Sequence, residues 1–172
     1  MNSWLADWAI IALGSNQGDS TQLLCKAVEE LKALSSLPIL KSSIWECAPI
    51  DSPPGSPNFF NAVAALQPRA DETPDSLIRK LLELESKLGR QRTKRRNAPR
   101  LLDLDLIAFG SERRATKQLS LPHPRATQRR FVLEPLVELA PEYILPGDTR
   151  TVLELLEAIR AVQAARIVGV LP

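Results

Sequence analysis

Ala9, Ile10, Ile11, Ala12 and Leu13 form a short apolar run that Gly14, Ser15, Asn16, Gln17 and Gly18 cut off. A run of this length bounded by turn residues predicts a buried strand. Asp19 or Ser20 then caps a predicted helix, in which Leu23, Leu24, Ala27, Val28, Leu31 and Leu34 recur every three or four residues and turn one face to a core. Pro38 closes this region, and residues 39–47 read as a second strand with Ile44 and Trp45 as packing residues. Pro49, Pro53, Pro54, Gly55 and Pro57 predict a stiff, irregular loop over residues 48–57, suited to holding backbone groups toward a ligand. A third strand over Phe59–Leu66 carries Asn61 among apolar residues. Thr73 and Pro74 start a second helix through Leu77, Ile78, Leu81, Leu82, Glu85 and Leu88, which Gly89 ends.

In the second half, Leu102, Leu104 and Leu106 alternate with Asp103 and Asp105. Period two predicts a strand with both carboxylates on one face and the leucines on the other. Phe109, Gly110 and Ser111 make a turn, and residues 118–121 read as one more short strand before Pro122, His123, Pro124 and Arg125. Residues 129–139 predict a short helix interrupted or started near Pro135, and residues 151–162 a last helix with Val152, Leu155, Leu156 and Ile159 on one side. The interleaving lacks the regular rhythm of a doubly wound fold and predicts an α+β domain with a largely antiparallel sheet.

Composition narrows the class. With 172 residues and 44% hydrophobic content the chain can bury one substantial core, so a single domain over residues 1–172 is expected. Twenty-two basic residues against 20 acidic leave a net charge of +2, which argues against wholesale coating of nucleic acid. Cys25 and Cys47 lack metal-ligand spacing and read as reduced structural thiols of a cytosolic protein, with Cys25 on the inner side of its helix. The apolar opening has no basic leading segment and carries Asp7, so no export signal is read. No run of 18 apolar residues suggests a membrane span.

The chemistry concentrates around the paired aspartates. Carboxylates two residues apart on a strand sit about 6.5–7 Å apart along its axis, close enough to share an ion, and hard oxygen ligands suit Mg²⁺. Just upstream, Arg90, Arg92, Lys94, Arg95, Arg96 and Arg100 place six cations in eleven residues, the charge that clamps polyphosphate. The pairing suggests a site for a metal nucleotide. Two plainer readings stay open: aspartates on the wet face of an edge strand, and a basic run that is a solvated loop or an RNA contact. A nucleic-acid-binding module is the rival from another class, although no accompanying helix-turn-helix, zinc-finger or aromatic RNA-binding signature is present.

Several separated motifs fall in one order: residues 11–16 (Ile-Ala-Leu-Gly-Ser-Asn), Phe59-Phe60-Asn61, Leu88-Gly89-Arg90, the stretch from Pro99 and Arg100 to Asp105, Pro122-His123, and Arg129 to Phe131. Over residues 10–146 the chain resembles the 6-hydroxymethyl-7,8-dihydropterin pyrophosphokinases of folate biosynthesis. The resemblance implies a ferredoxin-like α+β sandwich, ATP with two Mg²⁺ ions, and pyrophosphoryl transfer to the pterin hydroxymethyl group with release of AMP. It implies Asp103 and Asp105 as metal ligands and, with Arg90 and Arg92, as catalytic residues. It implies Arg90, Arg92, Arg100, His123, Arg129, Leu106 and Ser120 at ATP. For the pterin it implies Phe59 and Phe131 as ring partners, Asn61 as the amide that reads the ring edge, Glu85 as a nearby carboxylate, and contacts from Cys47, Ala48, Ile50 and Asp103. Without the family, Glu85 reads as a solvated helix position, His123 equally as a packed core residue, and either Phe as core.

Asn97, Ala98 and Pro124 depart from residues found in some members, so a lid over the site would pack differently, and a pterin-binding relative without activity is a second rival. Leu82 and Gln118 depart from positions that can be polar or basic near the nucleotide. A cytoplasmic monomer acting on small molecules, without nucleic-acid or membrane partners, is the expectation.

Overall fold

The structure, a computed structural model, describes residue 5 and residues 7–49, 55–89, 101–116, 118–159 and 165–172. In chain order the elements are β1 (Ala9–Ser15), α1 (Ser20–Lys32), β2 (Leu40–Lys41), β3 (Ser43–Cys47), β4 (Phe59–Leu66), α2 (Pro74–Lys87) and β5 (Asp103–Phe109). There follow β6 (Arg114–Ala115), β7 (Ser120–Leu121), a single 3₁₀ turn (Ala126–Gln128), α3 (Arg130–Leu139), α4 (Val152–Ala158) and β8 (Ala165–Val170). The main sheet runs β5-β1-β4-β3-β8, with β2 also paired to β4, and every pairing is antiparallel. This is the α+β architecture that the spacing of the strands predicts.

Local chemistry starts the helices where the sequence says. Asp19 accepts the Gln22 amide at 3.0 Å to cap α1, while Thr73 and Ser76 bond reciprocally across Pro74 in the first turn of α2. Gly89 follows α2 with a φ of 94°, a left-handed conformation that a side chain would strain.

Alternation along the strands sorts the core into two layers. Ile11, Leu13, Ala62, Ala64, Leu104 and Leu106 pack against α1 and α2. Ile10, Ala12, Val63, Ala65 and Ile107 pack against α3 and α4. Each fully buried leucine contributes about 1.5–3 kcal/mol, so Leu104 and Leu106 pin the register of β5. A one-residue slip would turn Asp103 and Asp105 into that core.

Four details differ from the sequence reading. The strand expected over residues 39–47 breaks into β2 and β3 because the Ser42 hydroxyl accepts the Val63 amide at 2.9 Å, while the Ser42 amide donates to the Val63 carbonyl. The helix of residues 129–139 is neither interrupted nor started at Pro135 but runs through it, with Pro135 itself buried. The last helix stops at Ala158, where Ile159 turns extended at φ −92° and ψ 122°, and residues 160–164 lie outside the described residues. The strands β6 and β8 had no counterpart in the reading. Cys25 is half-buried at the edge of the first core, and neither cysteine is in a disulfide.

Candidate active site

β5 is an edge strand, so one side of its backbone faces away from the sheet. Neighbours satisfy two of these outward groups. Glu85 Oε1 accepts the Leu104 amide at 2.7 Å, between the two aspartates, and the Ile107 carbonyl accepts the His123 amide at 2.8 Å. Glu85 is 1% exposed, which overturns its reading as a solvated helix position. A carboxylate aimed at the backbone of the next element along the chain gives no periodic signal in sequence.

Along this edge runs a cleft of about 400 Å³. Asp103, Asp105, Leu106, Ser120 and His123, all singled out from sequence, share its lining with Glu85. Ile78, Leu82 and Pro124 form apolar wall. Thr116 and Leu119, which the sequence reading did not mark, bond across the turn between β6 and β7 and complete the rim.

Arg129 and His123 face Asp105. Arg129 Nη1 donates to Asp105 Oδ2 at 3.1 Å, and its guanidinium lies 5.3 Å from the centre of the Phe131 ring, within cation–π range. Burial pushes the Arg129 pKa down, Arg125 adds to this, and Asp105 opposes it; a guanidinium so placed stays charged. Burial likewise lowers the His123 pKa below 6.5, with Asp105 opposing and Arg129 and Arg125 reinforcing. The Arg125 amide donates to His123 Nδ1 at 3.2 Å, which leaves the proton of the neutral ring on Nε2. His123 is thus a partly exposed cleft residue and not a core histidine.

On the face of the sheet turned to α3, one row of residues crosses four strands: Asp103, Gly14, Asn61 and Trp45. Neighbouring strands are about 4.8 Å apart, so the backbones of Asp103 and Asn61 are separated by about 10 Å with only Gly14 between them. The floor there is bare. A methyl group on Gly14 would sit 3.3 Å from Asn61 Oδ1 and 4.0 Å from Asp103 Cβ.

Asn61 is 4% exposed, and its Nδ2 donates to Cys47 Sγ at 3.1 Å, directing Oδ1 toward the Gly14 side. Burial, with Glu134 and Glu46 adding, raises the Cys47 thiol to about 11 against the lowering effect of Asn61, so it remains protonated. Phe59 pairs with Cys47 across β3 and β4 on this same face. Phe60 packs on the first core and Phe131 on the margin of the second, whereas Phe59 belongs to neither cluster. Ala48 is half-buried just beyond Cys47.

The two groups meet at the aspartates: the cleft on the edge of β5, and the row of Gly14 and Asn61 with Phe59 and Cys47 beyond it on the sheet. Arg90, Arg92, Arg100, Ile50, Asn97 and Ala98 lie outside the described residues. Among the described residues no three His, Cys, Asp or Glu side chains group to hold a metal by themselves. Two carboxylates suit a hard divalent cation that completes its shell with water and substrate phosphates. Glu85, expected from the resemblance as a carboxylate near the pterin, bonds to the Leu104 amide, and Gly14, part of the first motif, lies between Asp103 and Asn61; only the three-dimensional arrangement reveals these two relationships.

Residues 10–141 match the family model described as 7,8-dihydro-6-hydroxymethylpterin-pyrophosphokinase (HPPK). The chain is 34% identical over 151 residues to the 2-amino-4-hydroxy-6-hydroxymethyldihydropteridine pyrophosphokinase of Synechocystis sp., covering 88% of this chain and 75% of that protein. The protein of the same name from Bacillus subtilis is 39% identical over 132 residues, with 76% and 77% covered. The crystal structure of wild-type Plasmodium falciparum HPPK-DHPS with pteroate superposes with a TM-score of 0.67 at 14% identity. That match takes in 87% of this chain and 42% of the other, so the chain spans less than half of the solved protein, and the likeness establishes the fold. Among the described residues no helix is long and apolar enough to cross a membrane. With the match to the family model spanning most of its length, and the curated relatives above 30% identity, this chain belongs to the 7,8-dihydro-6-hydroxymethylpterin-pyrophosphokinase family.

Proposed function

We propose that this chain is an ATP-dependent diphosphotransferase that moves the pyrophosphoryl group of ATP to the hydroxymethyl oxygen of 6-hydroxymethyl-7,8-dihydropterin in folate biosynthesis. Beside family membership, one observation carries the reading: Asn61, Gly14 and Asp103 form a single row that ends at the cleft of Asp105, Leu106, Ser120 and His123. A flat ring on the bare glycine would have an amide at one side and the proposed metal-binding carboxylates at the other.

In this reading the pterin lies between Phe59 and Phe131, where an offset stack is worth about 0.5–1.5 kcal/mol beyond burial. Asn61 offers its Oδ1 acceptor and the amide proton not given to Cys47 to the ring edge, and Cys47, Ala48 and Ile50 complete the pocket. The nucleotide base follows Leu106 and Ser120. Its phosphates meet His123 through Nε2–H and Arg129 through its guanidinium, with Arg90, Arg92 and Arg100 as further phosphate partners.

Asp103 and Asp105 are the proposed ligands of two Mg²⁺ ions; their position on one face of β5 supports that use. When bound, Mg²⁺ offsets phosphate charge and orients the reacting groups. The hydroxymethyl oxygen forms a bond to the β-phosphorus, the bond from that phosphorus to the oxygen bridging to the α-phosphorus breaks, AMP leaves, and the hydroxyl proton passes to solvent. Positioning and charge stabilisation carry such a step, so no strong general base is required. Arg129 has two contacts that serve this end, one on Asp105 and one on Phe131. We further propose a cytoplasmic monomer without nucleic-acid partners.

Incubating the protein with ATP and Mg²⁺, with and without the pterin, tests the reading. AMP and pterin diphosphate formed in equal amounts only when pterin is present are expected; no AMP with both substrates, or AMP independent of pterin, contradicts it.

A further inference from the structure

We propose that Arg166, Glu46 and Asn58 form a polar clamp that positions the pterin side of the site, making β8 a determinant of pterin affinity. The inference rests on the function proposed above. The Glu46 carboxylate on β3 is the centre of the clamp. Arg166 of β8 places Nε 2.7 Å and Nη2 2.6 Å from Glu46 Oε2, and Asn58 Nδ2 donates to Oε1 at 3.0 Å.

The register shows what the clamp holds. Glu46 is paired with Arg166 across β3 and β8, and with Phe60 across β3 and β4. One residue further along, Ala165, Cys47 and Phe59 form the next row. Successive side chains point to opposite faces, so the clamp grips from one side the same strand ends that present Cys47 and Phe59 on the other. The connection of residues 48–58 leaves β3 after Cys47 and re-enters β4 after Asn58, so the Glu46–Asn58 bond closes across its two ends.

Its energetic character separates positioning from stability. The Arg166 side chain is 76% exposed, and exposed ion pairs contribute little to folding. Glu46 is 14% exposed, and the hydrogen bond from Asn58, followed by that from Arg166, holds its carboxyl below the usual range, so it stays ionised at neutral pH. Both Oε atoms are committed, one to each partner, which orients the carboxylate. Small displacements of groups that hold a substrate are costly in binding and rate even where the fold is unaffected. The family match ends at residue 141, so β8 lies outside it.

The test compares the full-length protein with Arg166→Ala, Glu46→Ala and Arg166→Lys, reading kcat, KM for pterin, KM for ATP, pterin Kd by fluorescence and Tm. Arg166→Ala and Glu46→Ala are expected to raise pterin KM and Kd about tenfold while KM for ATP and Tm hold. Arg166→Lys, which keeps the charge but not the forked contact, is expected to fall between them and the unaltered protein. Unchanged pterin KM in both alanine variants, or a joint rise in both KM values with a lowered Tm, overturns the clamp. Failure of the unaltered protein to bind pterin overturns the proposed function itself, and the clamp with it.

Discussion

Glu85 Oε1 lies 2.7 Å from the Leu104 amide nitrogen, so a buried carboxylate on α2 holds the backbone of β5 at the residue between Asp103 and Asp105. An edge strand otherwise leaves that amide to water or to a chance partner. Glu85→Ala orphans it, at a cost of about 1–3 kcal/mol, and loosens the strand that carries both aspartates. Urea unfolding and turnover measured together are expected to fall in Glu85→Ala and to be largely kept in Glu85→Gln, which retains an acceptor. Equal stability of the alanine variant and the unaltered protein would remove Glu85 from this role.

Gly14 has no side chain where the row from Asp103 to Asn61 needs open floor, and it is not in a left-handed conformation. Gly14→Ala is therefore expected to fold, with its new methyl 3.3 Å from Asn61 Oδ1. Pterin KM should rise about tenfold with little change for ATP. Unaltered pterin affinity would show that the ring does not lie there.

Acid should destabilise the protein through His123. Burial, reinforced by Arg129 and Arg125 and opposed by Asp105, depresses its folded pKa below 6.5, whereas the unfolded chain takes up the proton near that ordinary value. Between the two values the unfolded state binds more protons, so stability rises with pH through this window and is fully present above 6.5. The urea midpoint is expected to drop between about pH 7 and about pH 5, with a shallower drop in His123→Gln. Identical pH slopes for the two proteins would refute the assignment.

The Cys47 thiol, raised to about 11 by burial and nearby carboxylates, should alkylate slowly at neutral pH, and more slowly still with pterin bound. Peptide mapping after timed iodoacetamide treatment reads this directly. Labelling of Cys47 in the folded protein at the rate seen in urea would mean that the pocket is open.

What could be read from the chain follows the range over which its causes act. The apolar run of β1, the caps Asp19 and Thr73, and the alternation that puts Asp103 and Asp105 on one face are local, and the structure reproduces them. The break at Ser42 depends on a hydroxyl taking an amide of another strand, which no window of sequence displays. β8 escaped because an edge strand with Ile167, Val168 and Val170 all exposed lacks the period-two contrast that marks a half-buried strand. Glu85, Gly14 and Arg166 share one further reason: each matters through a partner that only the fold brings near. The family resemblance supplied Asn61, Phe59 and His123 as candidates; the sheet register puts Asn61 in the row of Asp103 and Phe59 beside Cys47, while the segment after β7 brings His123 to the cleft of the aspartates.

The pterin-dependent release of AMP by Asp105→Asn, beside the unaltered protein at saturating ATP, Mg²⁺ and pterin, tests most directly whether the reaction centres on the aspartate pair. Charge stabilisation through a bound cation is worth several kcal/mol, so turnover is expected to fall about a thousandfold while pterin fluorescence titrations show binding retained. Turnover within about tenfold of the unaltered protein would contradict the assignment of Asp105 and place the reacting phosphates elsewhere.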